Sequence, residues 1–208
     1  MPWVEGFFGL RCPVCGGPLD APGVCRACRE KLIPARKGQA VYLGRYAELR
    51  GLVRAVKYRK NREALDWAAE RLALQVQAAG FAAGAVTFVP TFPWRALLRG
   101  QYPPALLARG LARELGLPFQ ALLSRRRYTP SQTRRKPRHR LPQVFAPRAP
   151  APARVLLVDD VLTSGATFRR AAEALFSAGA ERVCGVFLAV ADPERLLRLP
   201  YNRPEARR

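Results

Sequence analysis

Val155-Leu156-Leu157-Val158-Asp159-Asp160-Val161-Leu162-Thr163-Ser164-Gly165-Ala166-Thr167 is the stretch from which the rest of the chain is read. Its four leading apolar residues form a strand buried on both faces. Two carboxylates follow at the exposed end, then hydroxyls and a glycine where a helix begins. Backbone N–H groups at such a start, together with the helix dipole, make a site for a terminal phosphate. Gly165 allows close approach of the backbone, and Thr163, Ser164 and Thr167 add hydroxyl donors around Ala166. Asp159 and Asp160 repel phosphate oxygens, so they are expected to face sugar hydroxyls or a metal-bound diol. A phosphorylated sugar satisfies both halves of the loop. The plainer alternative is that Thr163 or Ser164 caps the helix and the acids sit on a polar turn. No Walker A sequence or GxGxxG turn is present, which argues against ordinary nucleotide hydrolysis and dinucleotide binding.

Working outward, apolar runs and periodic segments alternate. Strands are expected at Ala40–Leu43, Ala85–Val89 (stopped by Pro90), Arg154–Val158 and Arg182–Val190. Helices are expected at Ala47–Tyr58, Arg62–Ala79, Pro104–Leu115 (stopped by Gly116) and Thr167–Ala178. In the first of these, Leu49, Leu52, Val53 and Val56 form one apolar face. Segment 124–153 is polar and Pro-rich. The alternation predicts an α/β fold, a parallel sheet covered on both faces, with ligands at the carboxyl ends of the strands.

Cys12, Cys15, Cys25 and Cys28 form C-x2-C-x9-C-x2-C. Two CxxC turns aim paired thiolates at one ion, so a zinc knuckle over residues 1–35 is expected. Pro13, Gly16, Gly17, Pro22 and Gly23 suit its turns. The alternatives are a redox pair or four reduced spectators. With all four positions taken by cysteine, the zinc is expected to be structural. Cys184, inside an apolar run, reads as a core residue.

Segment 155–167 resembles, throughout its length, the phosphoribosyl pyrophosphate (PRPP) signature of type I phosphoribosyltransferases. With the amino-terminal knuckle, the chain resembles the ComF family of competence proteins, a double-CxxC knuckle joined to a phosphoribosyltransferase domain. Leu52–Tyr58 resembles that family's early helix ending in Lys-Tyr. Val89-Pro90, with Arg95 and Arg99-Gly100, resembles its pyrophosphate-side loop, and Gln132-Thr133, Arg140 and Phe145 resemble its hood segment. The chain departs from the pattern at Gln101-Tyr102-Pro103-Pro104, where the family continues Phe-Asn-Gln, and at Gln143, where an Asn is common.

The resemblance implies a parallel-sheet type I phosphoribosyltransferase domain over 36–208 and a zinc ribbon over 1–35. It implies that PRPP binds with Mg²⁺, Asp159 and Asp160 holding the ribose hydroxyls. Thr163, Ser164, Gly165, Ala166 and Thr167 would cradle the 5′-phosphate, with Arg95, Arg99 and Lys57 on the pyrophosphate side. Lys57 also reads as a helix-dipole partner. A role in DNA uptake during natural transformation follows from the family, with DNA-uptake proteins as partners. The alternative is an active phosphoribosyltransferase on a small acceptor unrelated to DNA. No general base stands out.

The 208 residues carry 36 Lys+Arg against 15 Asp+Glu, a net charge of +21, on a 49% hydrophobic background. Such an excess points to a polyanionic partner or a phosphorylated ligand. Seven Arg and one Lys lie between Arg125 and Arg140, with no acid from Glu114 to Asp159. Arg134, Arg135, Arg138 and Arg140, with Tyr128 and Phe145 for stacking, suit single-stranded DNA. A loop closing over PRPP uses the same cations, and His139 within the run reads as solvated. The uncharged stretch Leu72–Trp94 is broken by Gly and Pro, so no membrane span is expected. The opening residues resemble no signal peptide, which sets the expectation of a cytoplasmic protein.

Overall fold

The computed structural model describes residues 11–58, 61–91, 102–126 and 144–204. The cysteine turns lead through helix α1 (Arg26–Lys31) to a tight hairpin of β1 (Ala35–Lys37) and β2 (Ala40–Arg45). Helices α2 (Tyr46–Tyr58) and α3 (Arg62–Ala78) follow, then β3 (Ala85–Phe88) and α4 (Pro103–Leu115). A short antiparallel pair, β4 (Leu123–Arg125) and β5 (Phe145–Pro147), precedes β6 (Arg154–Leu162), α5 (Ala166–Ser177) and β7 (Arg182–Val190). A 3₁₀ turn at Pro193–Arg198 ends the regular structure.

The helix limits follow local chemistry. Asn61 starts α3, its Oδ1 accepting from the Ala64 amide at 3.0 Å. Pro103 and Pro104 occupy the first turn of α4, where missing N–H groups cost nothing. Gly116, at φ 64°, ends that helix in the left-handed conformation.

The main sheet runs β1-β2-β7-β6-β3, with β2, β7, β6 and β3 mutually parallel. The expected parallel sheet therefore has one antiparallel edge, because two residues between β1 and β2 permit only a hairpin return. Successive residues of β6 serve opposite cores. Leu156 and Val158 pack with α2, α3 and α4 through Leu52, Leu72 and Leu111. Val155 and Leu157 face Phe168 and Leu175 of α5. This two-sided burial is why the strand reads as an unbroken apolar run.

Other differences from expectation have local causes. β6 continues past Val158 to Leu162, because Asp159 pairs in register with Phe187 and Leu162 with Val190. β4 and β5 emerge from the Pro-rich segment, anchored by buried Leu123 and Phe145. The knuckle is docked on the sheet's helical layer: Val24, Cys12, Cys25 and Cys28 share one core with α2 and α3. Contact is close, since a Cβ on Gly51 of α2 would stand 2.0 Å from the Pro13 carbonyl oxygen. Among the described residues, no helix is long and apolar enough to cross a membrane.

Candidate functional site

β6 delivers Asp159 and Asp160 to the carboxyl end of the sheet, where its burial loosens after Val158. The Asp159 side chain folds back on the chain, Oδ1 accepting from the Asp160 amide at 2.9 Å. Asp160 takes a cation from another layer: Lys57, in the last turn of α2, places Nζ 2.9 Å from Oδ2. Desolvation first, and the neighbouring Asp160 charge second, push the Asp159 carboxyl up to about 8. The Asp160 amide, Lys57 and Arg125 oppose that rise. One carboxylate is thus salt-bridged and the other is poised to hold a proton.

The loop then turns at Gly165, whose φ of 77° is the left-handed region that favours glycine. Gly165 is itself the N-cap of α5 and has no side chain with which to cap it. Ser164 Oγ accepts from the Ala166 amide at 3.4 Å, a long hydrogen bond. Thr163, Ser164, Ala166 and Thr167 are all exposed around this start. Of the expected hydroxyl caps, Ser164 meets the first-turn amide at long range. First-turn amides at so exposed a helix start suit an anion.

The 3₁₀ turn braces the loop from below. Arg195 Nη1 donates to the Thr163 carbonyl at 3.0 Å, and a Cβ on Gly165 would come within 2.7 Å of Leu199 Cδ2. Sequence reasoning missed both contacts. Asp192 followed by Pro193 is a legible helix-start signal, realised as Asp192 Oδ1 accepting from the Glu194 amide at 3.0 Å. Nothing local, however, tells where that turn will pack.

β3 leaves the sheet beside the acid pair, since Phe88 pairs with Val158 and the Val89 amide donates to the Val158 carbonyl at 2.9 Å. Beyond this exit lies a cavity of about 290 Å³ between β3, the start of α4 and the β4 strand. Of the remaining expected site residues, Arg95, Arg99, Arg134, Arg135, Arg138 and Arg140 lie outside the described residues.

The four knuckle cysteines converge, their sulfurs all within 4.8 Å of one another, with Cys15 and Cys25 3.7 Å apart. A tetrahedron with zinc–sulfur bonds of about 2.3 Å has edges of about 3.8 Å, so the cluster fits zinc. Burial raises the Cys12 thiol, but the amides of Cys15, Cys25 and Val14 outweigh it and bring it down to about 7. Burial and the crowding of Cys15 and Cys25 push Cys28 up. Four thiols so placed ionise together only around a cation.

Parts of the chain are similar to solved structures. An allosteric regulatory enzyme of purine biosynthesis is 23% identical over 60% of this chain and 25% of its own, with a TM-score of 0.39. Glutamine PRPP amidotransferase from B. subtilis is 26% identical over 61% of this chain and 26% of its own, at 0.43. Adenine phosphoribosyltransferase from Leishmania tarentolae is 16% identical over 77% of this chain and 95% of its own, also at 0.43. The chain thus spans about a quarter of the length of the first two. No curated protein matches it. From the first turn of α4 to the segment bracing the Gly165 loop, residues 105–200 match the family described as the phosphoribosyl transferase domain.

Proposed function

We propose that the chain binds PRPP with Mg²⁺ at the β6–α5 loop. The observation that carries this reading is the adjacency of two carboxylates to a helix start with a glycine N-cap and exposed hydroxyls around it. Asp159 and Asp160 accept hydrogen bonds from the ribose hydroxyls, while the first amides of α5 and the hydroxyls of Thr163, Ser164 and Thr167 hold the 5′-phosphate. Carboxylate oxygens suit a hard cation, and Mg²⁺ arriving with PRPP supplies charge that stabilises departing pyrophosphate. Lys57, held on Asp160, keeps the acid pair in place before ligand arrives, while Arg95 and Arg99 serve the pyrophosphate side. Zinc on the four cysteines holds the 1–35 segment as a structural ribbon beside the 36–208 phosphoribosyltransferase unit.

The finer reading is a ComF-like cytoplasmic protein that works in DNA uptake, with single-stranded DNA and DNA-uptake proteins as partners. A cysteine cluster and a phosphoribosyl transferase match in one chain of charge +21 support it. Its test is the salt dependence of single-stranded DNA binding, expected to have a slope of about −0.7 per phosphate contacted. Replacing Arg134, Arg135, Arg138 and Arg140 by Ala should flatten that slope. Equal binding by wild type and this variant at moderate salt defeats the DNA reading.

A second reading, turnover on a small acceptor unrelated to DNA, is favoured by the cavity beside the β3 exit. Pyrophosphate release from PRPP–Mg in the presence of candidate acceptors tests it directly. Release only when an acceptor is present supports an enzyme; release with none of them counts against one.

A further inference from the structure

The cavity at the β3 exit has a composition that selects among acceptors. Phe88 and Tyr102 form aromatic walls, their rings 5.8 Å apart and edge-on at 63°. Phe88 is backed on its other face by Phe119, stacked at 5.7 Å, so this wall is rigid. Thr91 and Ser124 add hydroxyls. Two cationic residues, Arg125 and Arg148, line the same space, and no acidic residue does so among the described residues. Arg125 is half-buried, with its guanidinium 5.6 Å from the Phe145 ring centre, and the Arg148 amide donates to the Leu122 carbonyl at 2.8 Å.

Size and position narrow the occupant further. At about 290 Å³ the cavity sits at the small end of ligand pockets, which run from about 300 to 1,000 Å³, so it takes a single heterocycle rather than a nucleotide chain. It opens beside the acid pair: Val89 is bonded to Val158, the residue before Asp159, and the Arg125 charge is felt at the Asp159 carboxyl. A ring held there lies next to a ribose held by Asp159 and Asp160.

We infer that the acceptor is a planar, single-ring heterocycle bearing a carboxylate, packed against the joined edge of Phe88 and Tyr102 and held by Arg125 and Arg148. This rests on the phosphoribosyl reading of the β6–α5 loop. In the reaction a ring nitrogen's lone pair forms the bond to ribose C1 as the C1–oxygen bond to pyrophosphate breaks. Pyrophosphate leaves with the electron pair of the C1–oxygen bond, and the attacking nitrogen becomes cationic or, where it carried a proton, loses it to solvent.

The test is calorimetric titration of the intact chain with matched probes: pyridine-3-carboxylate against pyridine-3-carboxamide, and pyrimidine-4-carboxylate against pyrimidine-4-carboxamide. Each is run with and without PRPP–Mg. The carboxylates should bind about ten-fold or more tightly than their amides, the margin of a charge-assisted hydrogen bond. Arg148→Gln and Arg125→Gln should each shrink that preference, with the unliganded unfolding midpoint checking that the variants fold. Equal or tighter binding of the amides, no binding by any probe, or an undiminished preference in both variants overturns the inference. PRPP–Mg titrated alone reads the loop separately. If it fails to bind while the carboxylate preference persists, the phosphoribosyl reading falls and the cavity's selectivity stands. If it binds and the preference is absent, the reverse holds.

Discussion

Lys57 Nζ sits 2.9 Å from Asp160 Oδ2, joining the end of α2 to the carboxyl end of β6 across 103 positions of sequence. Both side chains are largely shielded from solvent, at 24% and 18% exposure, so the pair is neither a surface ion pair nor a fully buried one. Burial first and the Asp160 charge second make Asp159 resist ionisation, and Lys57 offsets part of that rise.

Lys57→Met should therefore lower stability by about 1.5–3 kcal/mol, the range for a hydrogen bond to a charged group. Lys57→Met combined with Asp160→Asn should recover part of the loss, because the stranded charge is gone. Denaturant unfolding of the two singles and the double closes the cycle. Additive losses would mean that the two residues do not interact.

The acid pair also sets a pH dependence. Burial and Asp160 raise Asp159 to about 8 in the fold, against about 3.9 unfolded. Its contribution to stability is thus full below about pH 3.9 and is lost as pH rises through about 8. Asp159→Asn should flatten the decline in unfolding midpoint over that window. Ribose hydroxyls need the ionised carboxylate, so PRPP–Mg binding near pH 7 should release a proton. Calorimetry in buffers of different ionisation enthalpy measures it. No proton release, with wild-type and variant profiles alike, would contradict the raised value.

Metal at the knuckle should be structural. The purified chain should carry one zinc, and Cys25→Ser should lose it with a fall in melting temperature, because Cys25 and Cys28 belong to the same core as α2 and α3. Metal analysis and thermal unfolding check this. An unchanged midpoint after zinc removal would show that the knuckle carries no load.

Gly165→Ala should damage the loop without reaching the sheet. The left-handed conformation costs an alanine about 1–2 kcal/mol, and the added Cβ meets Leu199 Cδ2 at 2.7 Å. PRPP–Mg affinity should drop more than the unliganded midpoint does. Equal affinity would place the phosphate elsewhere.

Much of this was legible in one dimension. The apolar run Val155–Val158 announces a strand buried on both faces, and the CxxC spacing brings four sulfurs within 4.8 Å. Other features depend on partners far away in sequence. β6 persists through Asp159 and Asp160 because β7 supplies a ladder there, although acids are poor strand formers. Strands β4 and β5 are three residues each, too short for any periodicity to register. Lys57 read as a pyrophosphate contact or dipole partner, and nothing near it signals Asp160. Arg195 and Leu199 were silent for the same reason, since loop support is decided by packing.

Whether Asp159 and Asp160 hold a phosphorylated ribose is decided by PRPP–Mg titration of wild type against Asp159→Asn/Asp160→Asn. PRPP–Mg at about 100 times its Kd should stabilise the wild type by about 2.7 kcal/mol. The double variant, folded with an intact melting transition, should show no stabilisation and no heat of binding. Wild-type-like PRPP affinity in that variant would remove the two carboxylates from the site and contradict the account.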